Sequence, residues 1–211
     1  MRMRKKPWVD ALLEHPPSFV LKNCISLAQL THSAFSTVHL EIGSGKGDYW
    51  IQMAAKYPQE LWIGIEKDVK VAAVAIKKAQ EAILPNQLFV VSDASVCLPQ
   101  FADKDIDVIH LNFSDPWPKK RTHKRRLSAS SFIEQYKRIL SEQGLIIMKT
   151  DNKELFEYSM VQFSQADLLL EEMSVDFRRE EHDDVISEYE ARFMSLNQPI
   201  YRCIWRKKSH G

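Results

Sequence analysis

Cysteine is scarce in this chain of 211 residues, which has only Cys24, Cys97 and Cys203. An odd number of widely spaced cysteines with no C-x-x-C argues against a disulfide framework or a zinc knuckle. Long apolar runs are missing too. Nothing approaches the roughly eighteen apolar residues that a membrane crossing needs, so no membrane partner is expected. The N-terminal MRMRKKPW is basic and never turns apolar, so it reads as no signal peptide, and the default location is the cytoplasm. An excess of either charge is absent: 29 Lys and Arg oppose 28 Asp and Glu, for a net charge of +1. Any nucleic-acid footprint must therefore be local rather than global. His15, His32, His39, His110, His123, His182 and His210 are scattered without ligand spacing, so no metal is expected. There is no repeat or low-complexity tract, and no obligate protein partner is evident.

What is present reads as globular, with 45% hydrophobic and 27% charged residues. Residues 1–18 are basic and then proline-rich, and read as a mobile or surface-tied arm. Residues 19–211 read as a single domain. Phe19–Leu30 suits a short helix capped by Ser18. Strands are expected at Thr37–Ile42, Leu61–Glu66, Gln87–Ser92, Ile106–Phe113 and Gly144–Lys149. Helices are expected at Asp48–Lys56, Val69–Ile83, Ser128–Leu140 and Asn152–Ser164. Apolar runs near Leu168–Val175 and Ile200–Trp205 read as final strands with no clear helix between them. Strands alternating with helices predict an α/β fold: a mostly parallel sheet, helices on both faces, and an antiparallel hairpin at one edge.

Glycines at 43, 45 and 47 follow the first of these strands, in HLEIGSGKGDYW. They permit a tight turn and close backbone approach to a ligand. The spacing is G-x-G-x-G, one residue short of the dinucleotide fingerprint, and Lys46 lies inside the glycines, so this is no Walker A loop. Glu66 ends the next strand, where nucleotide folds place the acid that accepts from ribose hydroxyls. Asp93 ends the third, placed to accept from an adenine amino group. Glu41, just before the glycines, suits an ammonium group. A ligand with ribose, adenine and a cation, and no need for phosphate, fits S-adenosylmethionine better than NAD.

The segment Leu111–Arg126, LNFSDPWPKKRTHKRR, joins an apolar strand to an Asp-Pro-Trp-Pro turn and then to a cationic run. An Asp beside an aromatic at a strand end suits a flat heterocycle. Lys119, Lys120, Arg121, Lys124, Arg125 and Arg126 suit a phosphate backbone. Side by side, the two features suit a surface that holds a polynucleotide and works on one base.

The stretches LEIGSGKGDY, GIEKD, SDA, NFSDPWPKKRTHKRR, KTDN and SEYE resemble the bacterial tRNA (guanine-N7-)-methyltransferases. The resemblance covers roughly residues 35–206, and the fourth stretch is the most specific. It implies a Rossmann-like class I methyltransferase fold with a seven-stranded sheet. It implies S-adenosylmethionine as methyl donor, S-adenosylhomocysteine as product, and tRNA as partner. The implied product is 7-methylguanosine in the variable loop. Carried over by motif, the cofactor contacts are Glu41, Gly43, Gly45, Glu66, Lys67, Asp93, Ala94, Asn112 and Asp115. Asp115 is also the implied catalytic residue. Lys119, Asp151, Ser187, Glu188, Tyr189 and Glu190 are the implied substrate contacts. Arg121, Thr122, His123, Lys124, Arg125 and Arg126 are the implied RNA-facing run. Ser187 stands where the family usually has Thr; it keeps the hydroxyl and loses a methyl.

The chemistry is consistent with this resemblance. Guanine N7 carries a lone pair in the neutral base and needs no deprotonation before attack. Alignment and electrostatics are then the main tasks, and Asp115 suits orienting and charge stabilisation. Trp117 suits either stacking on a base or core packing. Asp151 and Glu190 are expected to accept from the guanine N1–H and amino group, with Glu188 and Glu190 on one face of an extended segment. Rival readings are methylation of an exocyclic amine, a catalytically silent RNA-binding protein, and an NAD-dependent oxidoreductase. The glycine spacing and the basic run disfavour the last.

Overall fold

The computed structural model describes residues 7–21 and 34–208. The strands are β1 (Val20–Leu21), β2 (Val38–Ile42), β3 (Leu61–Glu66), β4 (Gln87–Val91), β5 (Ile106–Asn112), β6 (Leu140–Thr150), β7 (Leu168–Ser174) and β8 (Tyr201–Lys207). The helices are α1 (Pro7–Glu14), α2 (Asp48–Lys56), α3 (Val69–Ala82), α4 (Ala94–Cys97), α5 (Ser130–Ile139), α6 (Lys153–Gln165) and α7 (Glu188–Ser195). All the strands form one sheet in the order β1-β4-β3-β2-β5-β6-β8-β7. Pairing is parallel from β1 across to β6, and β8 is antiparallel to both of its neighbours.

Every residue of β2 is buried, as expected of a central strand covered on both faces. The chain winds outward from β2 in both directions, through β3 and β4 on one side and β5 and β6 on the other. In such sheets the crevice beyond the carboxyl ends of the strands, at the reversal of winding, is where ligands bind. The acids singled out at strand ends sit at that edge: Glu41 near the end of β2, Glu66 ending β3 and Asp93 just after β4.

Local chemistry explains the helix boundaries. Asp68 caps α3, its carboxylate accepting from the amides of Lys70 and Val71 at 2.9 and 3.2 Å. The helix buries residues 72, 73, 75, 76 and 79, four of them alanines, and Ile83 closes it in a left-handed conformation at φ 51°. Asn152 caps α6 through the Leu155 amide at 2.8 Å. Trp50 of α2 is fully buried and donates its indole N–H to the Trp62 carbonyl at 2.8 Å, satisfying its polar handle inside the core.

The structure departs from the sequence reading in several places. The sheet has eight strands because Val20–Leu21 pairs with Phe89–Val90, where a helix from Phe19 was expected; residues 22–30 of that helix lie outside the described residues. Part of the expected arm is α1. Its Val9 is buried, Leu12 and Leu13 pack on the core beside Trp50, and Trp8 lies under Lys77 of α3. The basic residues 2–6 lie outside the described residues. Ser128 does not open α5: Ala129 is the cap position, and the buried Ser128 hydroxyl accepts from Ser159 at 2.6 Å. The last two strands pair antiparallel at one edge as expected, but a 3-10 turn at Phe177–Arg179 and the helix α7 lie between them, where no helix was expected. Cys203 is a buried free thiol.

Candidate active site at the carboxyl ends of the strands

The turn after β2 runs through the left-handed region at Gly43, Gly45 and Gly47, with φ of 79°, 57° and 80°. The three glycines have different surroundings. A Cβ on Gly43 or Gly45 would meet nothing within 4 Å, whereas one on Gly47 would lie 2.9 Å from the Ala75 Cβ. The first two therefore face open space, and the third lets α3 pack against the turn. Glu66 braces the turn, accepting from the amides of Gly45 at 3.0 Å and Asp68 at 2.8 Å. An ionised carboxylate has about four lone-pair sites, so Glu66 keeps capacity for further donors. Lys67 follows it, its ammonium 5.5 Å from the Trp117 ring centre.

Glu41 and Asn112 form a buried pair across β2 and β5. The Asn112 amide donates to Glu41 Oε1 at 2.9 Å. The other oxygen of each, Glu41 Oε2 and Asn112 Oδ1, is buried with no partner. Burial pushes the Glu41 carboxyl up to about 7. Unmatched buried acceptors are costly, and this pair offers two of them to a donor. Asp93 caps the short α4 that opens with buried Ala94, accepting from the amide and hydroxyl of Ser95 at 2.9 and 2.6 Å. The Ser95 hydroxyl holds the Asp93 carboxyl below its ordinary value.

Beyond β5 the chain passes through Phe113 and Trp117, both in the left-handed region at φ 50° and 41°. Such conformations are strained for aromatic residues and persist only where the surroundings enforce them. Asp115 lies between them, exposed, and no described residue bonds its carboxylate. It does not cap the Pro116 turn. The cationic run then forms a 3-10 turn, Lys120–Arg125. Lys119, Arg121, Lys124 and Arg125 are exposed, Thr122 and His123 half-buried. Arg125 lies 5.0 Å from the Trp117 ring centre. Arg126 departs from the RNA-facing reading of the run: it is 3% exposed and turned into the protein.

The segment expected to read guanine is also rearranged. Ser187–Glu190 is not extended; Ser187 caps α7, its hydroxyl accepting from the Glu190 amide at 3.2 Å. Serine supplies this cap as threonine would. Glu188 points outward and meets Lys46 of the glycine turn at 3.3 Å. Tyr189 is 59% exposed and belongs with Phe113 and Phe193 to a ring cluster. Glu190 is fully buried, and both its oxygens are committed: Oε1 accepts from Arg178 at 2.6 Å and Oε2 from Lys149 at 3.1 Å. Asp184 bridges the same two cations, at 2.7 Å from Lys149 and 3.1 Å from Arg178. Full burial inside this network, rather than a lack of lone pairs, keeps Glu190 from a base at the surface. Asp151 follows β6 half-buried, and desolvation raises its carboxyl.

Sequence reasoning missed Lys149, Arg178 and Asp184. A lysine ending the apolar strand GLIIMK was the available signal for the first. It also missed a buried chain under the site: His39 Nδ1 lies 3.0 Å from His110 Nε2, and His110 Nδ1 3.3 Å from the Tyr49 hydroxyl. Burial, then the neighbouring His39, holds His110 well below its ordinary value, so that ring is neutral.

A central-strand glycine turn, three acids at successive strand ends and a carboxylate loop define a Rossmann-like class I methyltransferase. A family model described as "Putative methyltransferase" matches residues 36–203. A tRNA (guanine-N(7)-)-methyltransferase of Streptococcus mutans is 42% identical, over 96% of this chain and 98% of that one. One of Oceanobacillus iheyensis is also 42% identical, over 96% and 97%. The chain belongs to the tRNA (guanine-N(7)-)-methyltransferase family. Solved structures share the fold at low identity. An antibiotic-related methyltransferase aligns with TM-score 0.61 and 15% identity over 98% of this chain and 96% of that one. A mutant 16S rRNA (adenine(1408)-N(1))-methyltransferase of Catenulisporales acidiphilia, with cosubstrate SAM, aligns with TM-score 0.63 and 11% identity, over 88% and 90%. No helix among the described residues is long and apolar enough to cross a membrane.

Proposed function

We propose that this protein transfers a methyl group from S-adenosylmethionine to N7 of a guanosine in the tRNA variable loop, forming 7-methylguanosine. The observation that carries the reading is Asp115. It is an exposed carboxylate with no described partner, one loop away from the orphaned Glu41–Asn112 acceptors and directly before the cationic turn. The cofactor supplies an electrophilic methyl group. The residues present fit it: Gly43 and Gly45 leave room at the turn, and Glu41 Oε2 and Asn112 Oδ1 lack donors. Glu41 meets the ammonium group, Glu66 with Lys67 beside it the ribose, and Asp93 with the Ala94 backbone the adenine. No metal is part of this reading.

Asp115 orients the base and favours the positive charge that develops on the purine, with no proton to remove from N7. Lys119, Arg121, Thr122, His123, Lys124 and Arg125 hold the RNA backbone. Asp151, Ser187, Glu188 and Tyr189 border the base, and Asp151 is the carboxylate left to read guanine, since Glu190 is committed elsewhere. The test uses radiolabelled S-adenosylmethionine and unmodified bulk tRNA, with product nucleosides identified after digestion. Label in 7-methylguanosine is expected, with kcat lowered about 100- to 1000-fold in Asp115→Asn. Label in an exocyclic amine moves the target atom. Full kcat in Asp115→Asn, with both ligands bound, removes Asp115 from the chemistry.

A further inference from the structure

We propose that Arg126 is a positioning residue that clamps the Asp115 loop, and not a phosphate contact like its neighbour Arg125. This rests on the methyl-transfer reading and adds a residue to it. The two arginines are adjacent and identical, yet oppositely placed. Arg125 is exposed over Trp117, whereas Arg126 is buried. Arg126 Nε donates to the Pro116 carbonyl at 2.8 Å and Nη2 to the Trp117 carbonyl at 3.4 Å. Its guanidinium carbon lies 4.4 Å from the centre of the Tyr158 ring of α6.

A buried guanidinium normally takes a carboxylate partner, because its desolvation is otherwise costly. Among the described residues Arg126 has no ion pair. Its compensation comes from the carbonyls of the two residues after Asp115, and from an aromatic face. Those residues belong to the strained segment, with Trp117 at φ 41°. Left-handed aromatic backbone needs outside enforcement, and a forked donor reaching two successive carbonyls provides it. The main chain adds a second tie. The Arg126 amide donates to the His123 carbonyl at 3.0 Å, and the Ala129 amide to the Arg126 carbonyl at 2.9 Å. Arg126 thus links the cationic turn, the Asp115 loop and α6, and sets where Asp115 stands when RNA binds the turn.

The test compares Arg126→Lys, Arg126→Gln and Arg125→Gln with wild type. Readouts are kcat, KM for tRNA, the salt dependence of tRNA binding, and the rate of tryptic cleavage after Lys119 and Lys120. Thermal melting identifies variants that retain the fold, and Arg126→Lys keeps the charge should Arg126→Gln fail to fold. The expected result for both Arg126 variants is a kcat about 10- to 100-fold lower, a KM within about threefold, and several-fold faster loop cleavage. Their salt slopes match wild type, whereas Arg125→Gln loses about one unit of slope. An unchanged kcat, unchanged cleavage, or a slope flattened as in Arg125→Gln overturns the proposal. Should wild type fail to methylate tRNA, the proposed function falls, while the cleavage rates still decide the clamp.

Discussion

Lys149 Nζ lies 3.1 Å from Glu190 Oε2, with 1% of one side chain and none of the other exposed. The pair ties α7 to the end of β6, and with Arg178 and Asp184 it balances two positive against two negative charges. Glu190 is thereby a strut between α7, β6 and the Phe177–Arg179 turn.

Removing one member of such a network strands buried charge. Glu190→Ala is expected to destabilise the protein by about 3–5 kcal/mol. Glu188→Gln breaks only the exposed pair with Lys46 and is expected to cost under about 1 kcal/mol. Urea unfolding midpoints at pH 7 separate the two. A Glu190→Ala protein as stable as wild type, with altered guanine preference, would return Glu190 to the role its motif implies.

The glycine turn predicts a second contrast. Gly45→Ala and Gly47→Ala both force alanine into the left-handed region, at a cost of about 1 kcal/mol. Only Gly47→Ala also drives a methyl to 2.9 Å from the Ala75 Cβ, for about 1–3 kcal/mol more. Gly47→Ala should therefore unfold at lower temperature than Gly45→Ala. Gly45→Ala, whose methyl points into the open crevice, should lose cofactor affinity out of proportion to its stability. Calorimetric titration with S-adenosylmethionine alongside thermal melts reads both, and equal melting temperatures would contradict the packing argument.

The same two residues show what the sequence could and could not display. The three glycines stood out because left-handed backbone is a local demand that residue type answers. So did the apolar runs of β2 to β6, because burial on both faces leaves a local signature. The difference between Gly45 and Gly47, however, is made by Ala75, far along the chain. Arg125 and Arg126 are the same residue in the same run, and only the carbonyls of a folded-back loop distinguish them. The motif SEYE read as an extended segment because the apolar members of α7, Tyr189 and Phe193, acquire meaning only against Phe113. Lys149 and Glu190 are 41 positions apart, and no local pattern pairs them.

The exposed cations carry a third prediction. Arg121, Lys124 and Arg125 are solvent-facing, and each phosphate contact releases counterions. Neutralising Arg121 and Lys124 together should reduce the slope of log K for tRNA against log salt by about two units. Affinity should fall for all tRNAs alike, since phosphate contacts carry no sequence information. Filter binding across a salt series measures this, and an unchanged slope would place the RNA elsewhere.

Glu41 carries a fourth prediction, in which protonation is expected to couple to stability and, under the proposed function, to cofactor binding. The free carboxyl titrates near 4.5 and the folded one near 7, raised by burial. Between those values the folded state binds more protons than the unfolded chain. Stability therefore falls as pH rises through that window, by up to about 3 kcal/mol, and is flat above it. Glu41→Gln has no such penalty, so without cofactor it should be more stable than wild type above pH 7. It should also bind S-adenosylmethionine more weakly, because a neutral amide meets an ammonium group less well than a carboxylate. In the wild type, binding at pH 6 must first ionise Glu41, so affinity should drop below pH 7 and a proton should leave on binding. Titration calorimetry at pH 6 in two buffers of different ionisation enthalpy counts that proton. Equal heats in the two buffers, with affinity flat from pH 6 to 8, would mean that Glu41 does not face the cofactor's charge.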